Sequence, residues 1–77
     1  RINGELRQDA NTDDLLFNIQ KIIAFLSQGT TLEQGTVIMT GTPSGVGAVS
    51  GRYLKDGDLV EISIEQIGTL SHKIRFI

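Results

Sequence analysis

The 77-residue chain contains no cysteine, and this limits how a chain of its size can be stabilised. A domain of roughly 60 residues buries only about 60% of the surface that its unfolded chain exposes, so small domains often depend on disulfides, metals or a partner chain. Disulfides and thiolate chemistry are excluded, and a single histidine, His72, cannot build a zinc site alone. We therefore expect a thin core. Because the sequence begins at Arg1 rather than at methionine, we also expect a piece of a longer polypeptide.

Charge and hydropathy exclude two classes of partner. The net charge is −2 and the seven basic residues are scattered along the chain, so no basic stripe could follow a phosphate backbone and nucleic acid is not expected as a partner. The longest apolar run, residues 22–26, is far shorter than the roughly 20 residues that span a bilayer, so no membrane association is expected. The absence of cysteine favours an intracellular compartment.

One segment has the periodicity of an amphipathic helix. Thr12 is a candidate N-cap, and Asp13 and Asp14 would follow in the first turn, where the helix dipole favours negative charge. Apolar residues then recur at three- and four-residue steps, and Gly29 is suited to the position after the helix. The pattern predicts a helix from Asp13 to Gln28. The apolar stripe consists of Leu15, Leu16, Ile19, Ile22, Ile23 and Leu26.

Strand signals surround this helix. Asn3-Gly4 is a strong hairpin-turn signal, so residues 2–8 are predicted as the second arm of a hairpin whose first arm precedes Arg1. Residues 36–40 predict a strand buried on both faces. Residues 59–66 and 70–76 alternate apolar and polar side chains and predict a hairpin after the Asp-Gly turn at 55–58. Four strands and one helix indicate an α+β, mainly β, fold.

Residues 42–54 are predicted as a loop, and the sequence from Gly41 to Gly47, where the loop begins, reads GTPSGVG. A P-loop would need a lysine that is absent, and the dinucleotide fingerprint would need a third glycine where Ser50 stands and a helix opening after it. Three glycines nevertheless let backbone N–H groups approach a ligand, and the Thr42 hydroxyl can donate to a carboxylate or enolate oxygen. Local chemistry leaves two roles open for this loop, a structural turn and a ligand-binding loop. On these residues alone we favour the structural turn.

Other polar residues have simpler structural interpretations. His72 is a conceivable general base, but its parity places it with apolar residues, so we favour a histidine at a core edge. Glu61 and Glu65 are expected to face Lys73 and Arg75 across the hairpin as solvated pairs. Asp13 and Asp14 suit the start of a helix, and Asp56 and Asp58 suit a turn. No catalytic triad or carboxylate pair emerges.

The string TGTPSGVG, preceded by EQGTVIMT and followed by YLKDGDLVEISIEQIGTL, resembles the C-terminal part of the fumarylacetoacetate hydrolase family. NGELRQDANTDDLLF is similar to the segment that precedes the family's helix. Thr36 departs from the pattern, which usually has Asp after the glycine. The resemblance implies that residues 1–77 are the C-terminal part of one catalytic domain of mixed β-sandwich-roll fold, whose N-terminal part lies outside this chain.

The family resemblance also implies an activity. Its members act on 2-oxo and diketo acids, so the expected reaction is C–C hydrolysis of an acylpyruvate-like substrate, with oxaloacetate tautomerisation or decarboxylation as the alternative. A non-catalytic β module that binds a partner chain is the alternative from another class. Mg²⁺, or Mn²⁺ or Ca²⁺, would be bound by carboxylates upstream of this chain, with no metal ligand or catalytic residue within it.

Two residues of this chain match the family's substrate-binding pattern. Thr42 would contact the substrate's carboxylate, and Gly41 would allow close backbone approach. Among the partners, the resemblance implies the small-molecule 2-oxo acid, the remainder of the same polypeptide and a second copy in a homodimer. The implied location is cytoplasmic or mitochondrial.

Overall fold

The computed structural model describes residues 1–77 and has an α+β composition. The helices are α1 (Ile19–Leu26) and α2 (Gly47–Ser50), and the strands are β1 (Leu59–Ile64) and β2 (Gly68–Lys73). The chain forms two compact units. We call Arg1–Asp9 with Pro43–Ile77 the hairpin unit and Ala10–Thr42 the helix unit.

The hairpin of β1 and β2 confirms the prediction from alternating hydrophobicity. The strands are antiparallel, and the register pairs Val60 with His72 and Ile62 with Leu70, so the apolar positions share one face as predicted. The turn lies at residues 65–67, where the Ile67 N–H donates to the Ile64 carbonyl over 3.1 Å. The predicted charge pairs are wrong, because Glu61 stands opposite Ser71 and the ion pairs of the chain involve Glu5 instead.

The Asn-Gly turn is present, but its arms differ from the prediction. Asn3 and Gly4 have φ of 51° and 80°, and Ile2 and Glu5 form an antiparallel bridge around them. The first arm therefore includes Ile2, which also bridges to Val60 of β1. The predicted strand over residues 2–8 is not formed, because only the first arm of the turn meets a partner strand.

The Asp-Gly turn at residues 55–58 connects this first arm to the hairpin. Asn3 Nδ2 donates to Asp58 Oδ1 over 2.9 Å, and the Lys55 N–H donates to Asp58 Oδ2 over 2.8 Å. These donors stabilise the charged carboxylate and hold the pKa of Asp58 below its usual value. The bond from the Lys55 N–H has the larger effect, and the bond from Asn3 has the next largest. Asp58 also accepts through its carbonyl from the Ile74 N–H over 2.8 Å.

The predicted helix over residues 13–28 is shorter and starts later. A 3-10 turn covers Thr12–Asp14, and α1 then covers Ile19–Leu26. The N-caps are Asn11 and Asn18, so the proposed Thr12 cap is wrong; Asn18 accepts from the Lys21 N–H over 2.9 Å. Asn18 can start a helix at this point because it is as good a cap as threonine, and Leu16 and Phe17 are left largely exposed.

Residues 36–40 do not form the predicted strand. Apart from the Thr36 N–H, which donates to the Glu33 carbonyl over 3.1 Å, no backbone hydrogen bond reaches this segment. A strand requires a neighbour that pairs with it, and none is present within these 77 residues. The described chain is therefore not mainly β. Within the helix unit, an apolar cavity of about 500 Å³ is lined by Phe17, Lys21, Ile22, Phe25, Leu26, Ile38, Met39 and Thr40.

No side chain of the chain is fully buried, so a hydrophobic core is absent. The accessible surface is 7067 Å², whereas a folded monomer of 8.4 kDa is expected to expose about 4,600 Å². Even the predicted inner face of β2 is exposed to solvent, since Leu70 is 60% exposed. The apolar faces predicted from the sequence thus exist, but residues 1–77 do not cover them.

Candidate functional site

The two residues predicted to bind substrate lie at the end of the helix unit. Gly41 and Thr42 are both exposed. Gly41 has φ of 95°, and a Cβ built on it would meet no atom within 4 Å. Glycine at this position therefore serves the backbone conformation and leaves open space where a Cβ would stand.

The segment from Pro43 to Arg52 continues as part of the hairpin unit and is not entirely loop. The four-residue helix α2 begins at Gly47, and the Arg52 N–H donates to the Gly47 carbonyl over 2.9 Å. The expectation that no helix follows the glycines is therefore wrong. The mismatch with the dinucleotide fingerprint persists, since Ser50 stands where that motif needs its third glycine.

Gly45 and Gly47 have a structural role that the sequence did not reveal. A Cβ at Gly45 would lie 2.0 Å from the Arg7 carbonyl oxygen, and one at Gly47 would lie 2.5 Å from the Arg52 carbonyl oxygen. Real Cβ atoms do not approach a backbone oxygen this closely. The expectation that both glycines provide open backbone for a ligand is corrected accordingly: their missing side chains make room for the chain's own backbone.

Residues 5–8 hold this segment at three places, and we call them the brace. Gln8 Nε2 donates to the Pro43 carbonyl over 3.0 Å, and the Arg7 carbonyl lies against Gly45. Glu5 accepts two bonds of 2.6 Å from the Arg52 guanidinium. The brace therefore contacts the segment near its start, in its middle and at its end.

The Glu5–Arg52 pair is the electrostatic part of the brace. The bidentate bond stabilises the charged forms of both side chains. It therefore lowers the pKa of Glu5 and raises the pKa of Arg52 relative to their usual values. Arg7 Nε lies 3.6 Å from Glu5 Oε1 and is buried without a hydrogen bond. Beside these groups is a polar cavity of about 290 Å³, lined by Asn3, Arg7, Gly51, Arg52, Tyr53, Lys55 and Asp58.

The remaining candidates do not converge on a second site. His72 is exposed on β2 opposite Val60, so it does not occupy the predicted core edge within this chain. Residues 1–77 contain no group of three or more His, Cys, Asp or Glu side chains that could hold a metal ion. Their own side chains therefore do not fit a metal centre.

Comparison with known proteins identifies the class. The family model described as fumarylacetoacetate (FAA) hydrolase C-terminal matches residues 1–75. The chain belongs to the fumarylacetoacetate hydrolase family, as its TGTPSGVG string predicted.

Its relatives carry names from two reaction classes. The chain is 50% identical over 76 residues to the protein named oxaloacetate tautomerase YisK of Bacillus subtilis, covering 96% of the chain and 25% of that relative. It is 43% identical over 77 residues to the protein named maleylpyruvate hydrolase of Aquipseudomonas alcaligenes, covering 100% of the chain and 25% of the relative. It is 42% identical to a mitochondrial oxaloacetate tautomerase of Bos taurus over 76 residues, covering 96% and 24%. The chain thus spans about a quarter of their length.

No helix of the chain has the length and apolar character that crossing a membrane requires.

Proposed function

We propose that residues 1–77 supply the substrate-carboxylate loop of an enzyme that acts on 2-oxo or diketo acids. The family match over residues 1–75 is the observation that carries this proposal. The relatives support it, because both oxaloacetate and maleylpyruvate, the compounds in their names, are 2-oxo acids. In both, a carboxylate stands next to the 2-oxo group.

Two reactions fit this substrate class. Oxaloacetate tautomerisation is favoured by the names of the relatives that are 50% and 42% identical to the chain. Hydrolysis of a C–C bond in an acylpyruvate-like acid is the second candidate, and the relative named maleylpyruvate hydrolase supports it. Both reactions develop negative charge on the ketone oxygen as an enolate or enol forms, and an enzyme accelerates them by stabilising that charge.

The role that we assign to Thr42 is positioning. Its hydroxyl donates a hydrogen bond to a carboxylate oxygen of the substrate, and the glycine at 41 allows the ligand to lie close to the backbone. The carboxylate keeps its charge throughout the reaction, so this contact binds the ground state and the transition state about equally. Thr42 takes no proton and forms no covalent bond in this proposal.

A divalent ion, Mg²⁺ first and Mn²⁺ or Ca²⁺ as alternatives, is the cofactor that the family resemblance implies. The side chains of residues 1–77 do not form a cluster that fits such an ion, so we assign no ligand within the chain and derive no step through the ion. We propose that carboxylates upstream of these residues bind it.

The surface of the chain supports a larger assembly. Exposed apolar side chains on both units need cover, and we propose that a mixed β-sandwich roll, completed by other parts of the same domain, provides it. In such a roll, residues 36–40 would gain the strand neighbour that they lack here. Homodimerisation belongs to the same proposal. A mitochondrial or cytoplasmic location is proposed from relatives whose names include the word mitochondrial.

Thr42→Val in a protein that carries these residues within the complete domain tests the role of the loop. Valine is nearly isosteric but cannot donate, and losing one hydrogen bond to a charged ligand costs about 1.5–3 kcal/mol. We expect KM for oxaloacetate or an acylpyruvate to rise about 10- to 150-fold, with kcat and the melting temperature little changed. Thr40→Val is the matched control and should leave KM unchanged.

A large loss of stability with unchanged kinetics would instead assign Thr42 a structural role.

The same protein, without the substitution, distinguishes the enzyme from the non-catalytic alternative. If it turns over neither oxaloacetate nor acylpyruvates in the presence of Mg²⁺, the enzyme proposal is wrong, and a β module that binds a partner chain becomes the better description.

A further inference from the structure

We infer that Asn3 is a deamidation site that the folded hairpin unit keeps closed and that opens when the Asn3 side chain leaves Asp58. This modification is independent of the enzymatic activity proposed above. Asn3 is followed by Gly4, and both residues are exposed. The Gly4 N–H makes no hydrogen bond, and glycine has no side chain to shield its nitrogen. A nucleophile and an amide that it can attack are therefore neighbours in the chain.

The reaction needs only these two residues and water. The Gly4 backbone nitrogen loses its proton to hydroxide from the solvent and attacks Asn3 Cγ, so that an N–Cγ bond forms. The Cγ–Nδ2 bond then breaks, and Nδ2 leaves with the bonding electron pair and takes up a proton from water as ammonia. Water opens the resulting cyclic imide at either carbonyl, which gives aspartate or isoaspartate at position 3. Nothing is oxidised or reduced.

In the folded unit, both ends of the Asn3 amide are engaged. Nδ2 donates to Asp58 Oδ1 over 2.9 Å, and Oδ1 accepts from the Leu59 N–H over 2.9 Å. The backbone is held as well, since the Asn3 N–H donates to the Leu59 carbonyl over 2.8 Å. Ring closure requires rotation about the Cα–Cβ and Cα–C bonds of Asn3, and this rotation breaks the side-chain bonds. The reaction rate therefore follows the fraction of molecules in which they are open.

The product cannot restore this contact. An aspartate at position 3 has an oxygen in place of Nδ2, so it cannot donate to Asp58, and two carboxylates would face each other where the 2.9 Å bond now lies. Isoaspartate also adds a methylene to the backbone inside the Ile2–Glu5 bridge. Each product therefore destabilises the hairpin unit, and an opening that ends in reaction is permanent.

The test uses a protein that carries these residues within the complete domain, kept in mildly alkaline buffer with and without urea. Peptide mass spectrometry follows the exchange of the amide for an acid. Asn3 should keep its amide in the folded protein and lose it in urea. Asn11 and Asn18 should react much more slowly in urea, since β-branched residues follow them and hinder the attacking nitrogen. Gly4→Ala should slow the reaction of Asn3 in urea because the new Cβ also hinders that nitrogen.

Variants of the 55–58 turn show whether Asp58 closes the site. Asp58→Ala removes the charged acceptor, so deamidation of Asn3 in the folded protein should become about 10- to 150-fold faster. Asp56→Ala is the matched control, since Asp56 Oδ1 accepts from the Phe76 N–H over 2.6 Å and forms no hydrogen bond with Asn3; it should leave the rate nearly unchanged. Asn3→Asp reproduces one product and should lower the urea midpoint.

Three results would overturn the inference. These are an Asn3 amide that survives in urea, an amide lost equally fast with and without urea, and equal rates in Asp58→Ala and wild type. If Asp58→Ala does not fold, Asp58→Asn decides, because a neutral acceptor binds the Asn3 amide more weakly than a carboxylate and should still raise the rate. An unchanged rate in that variant would then refute the role of Asp58.

Discussion

Gly45→Ala should be the most damaging glycine substitution in the segment that follows Thr42. The new Cβ would lie 2.0 Å from the Arg7 carbonyl oxygen and 3.0 Å from Gln8 Cγ. Ordinary contacts between carbon and oxygen exceed 3 Å, so the backbone must move by about 1 Å, and overpacking of this kind costs about 1–3 kcal/mol. Gly45 also has φ of 103°, and a positive φ costs a residue with a Cβ about 1–2 kcal/mol more. The expected loss in the free energy of unfolding is about 2–5 kcal/mol.

Two further glycines separate these contributions. Gly35 has φ of 90° but no atom within 4 Å of its Cβ position, so Gly35→Ala should cost only the conformational part, about 1–2 kcal/mol. At Gly47 the close atom is the Arg52 carbonyl oxygen at 2.5 Å, and no positive φ is involved. Gly47→Ala should therefore cost about 1–3 kcal/mol in steric strain.

Urea unfolding of a protein that carries these residues within the complete domain measures all three losses. The midpoints, at a constant denaturant slope, should rank the Gly45 variant below both others. If Gly45→Ala is no more destabilising than Gly35→Ala, then the close approach of the Arg7 carbonyl does not exist in solution. The contact of the brace in the middle of this segment would then be refuted.

Two further predictions concern the helix and the Asp58 turn. Asn18→Ala should lower the free energy of unfolding by about 1 kcal/mol, because it removes the N-cap of α1; Asn11→Ala, which affects only a three-residue 3-10 turn, should cost less in the same urea measurement. The pKa of Asp58 is lowered in the folded state, so its carboxylate contributes stability above the usual aspartate pKa, and this is lost as the pH falls through the folded value. Asp58→Asn should therefore flatten the decline of melting temperature below about pH 4, and an equally steep decline would show that other carboxylates cause it.

Features that depend on neighbours in the sequence were predictable from the sequence alone. Asn3-Gly4 adopts positive φ and the 55–58 turn is present because these conformations are set within a few residues. The alternation in residues 59–66 and 70–76 placed the correct side chains of the observed strands on one face of the hairpin. The TGTPSGVG string led to the correct family because residue order is what a family pattern records.

Features that depend on distant partners were decided by the tertiary structure. Thr12 and Asn18 are both acceptable caps, and the sequence did not show that the helix begins at the second. Residues 36–40 have the composition of a strand, but a strand forms only where another backbone pairs with it.

The brace is the clearest case of a contact that only the tertiary structure decided. Glu5 and Arg52 are 47 residues apart, and Gln8 and Pro43 are 35 apart. Hydrogen bonds between such residues leave no periodicity or spacing in the sequence, because only the path of the folded backbone brings their atoms together.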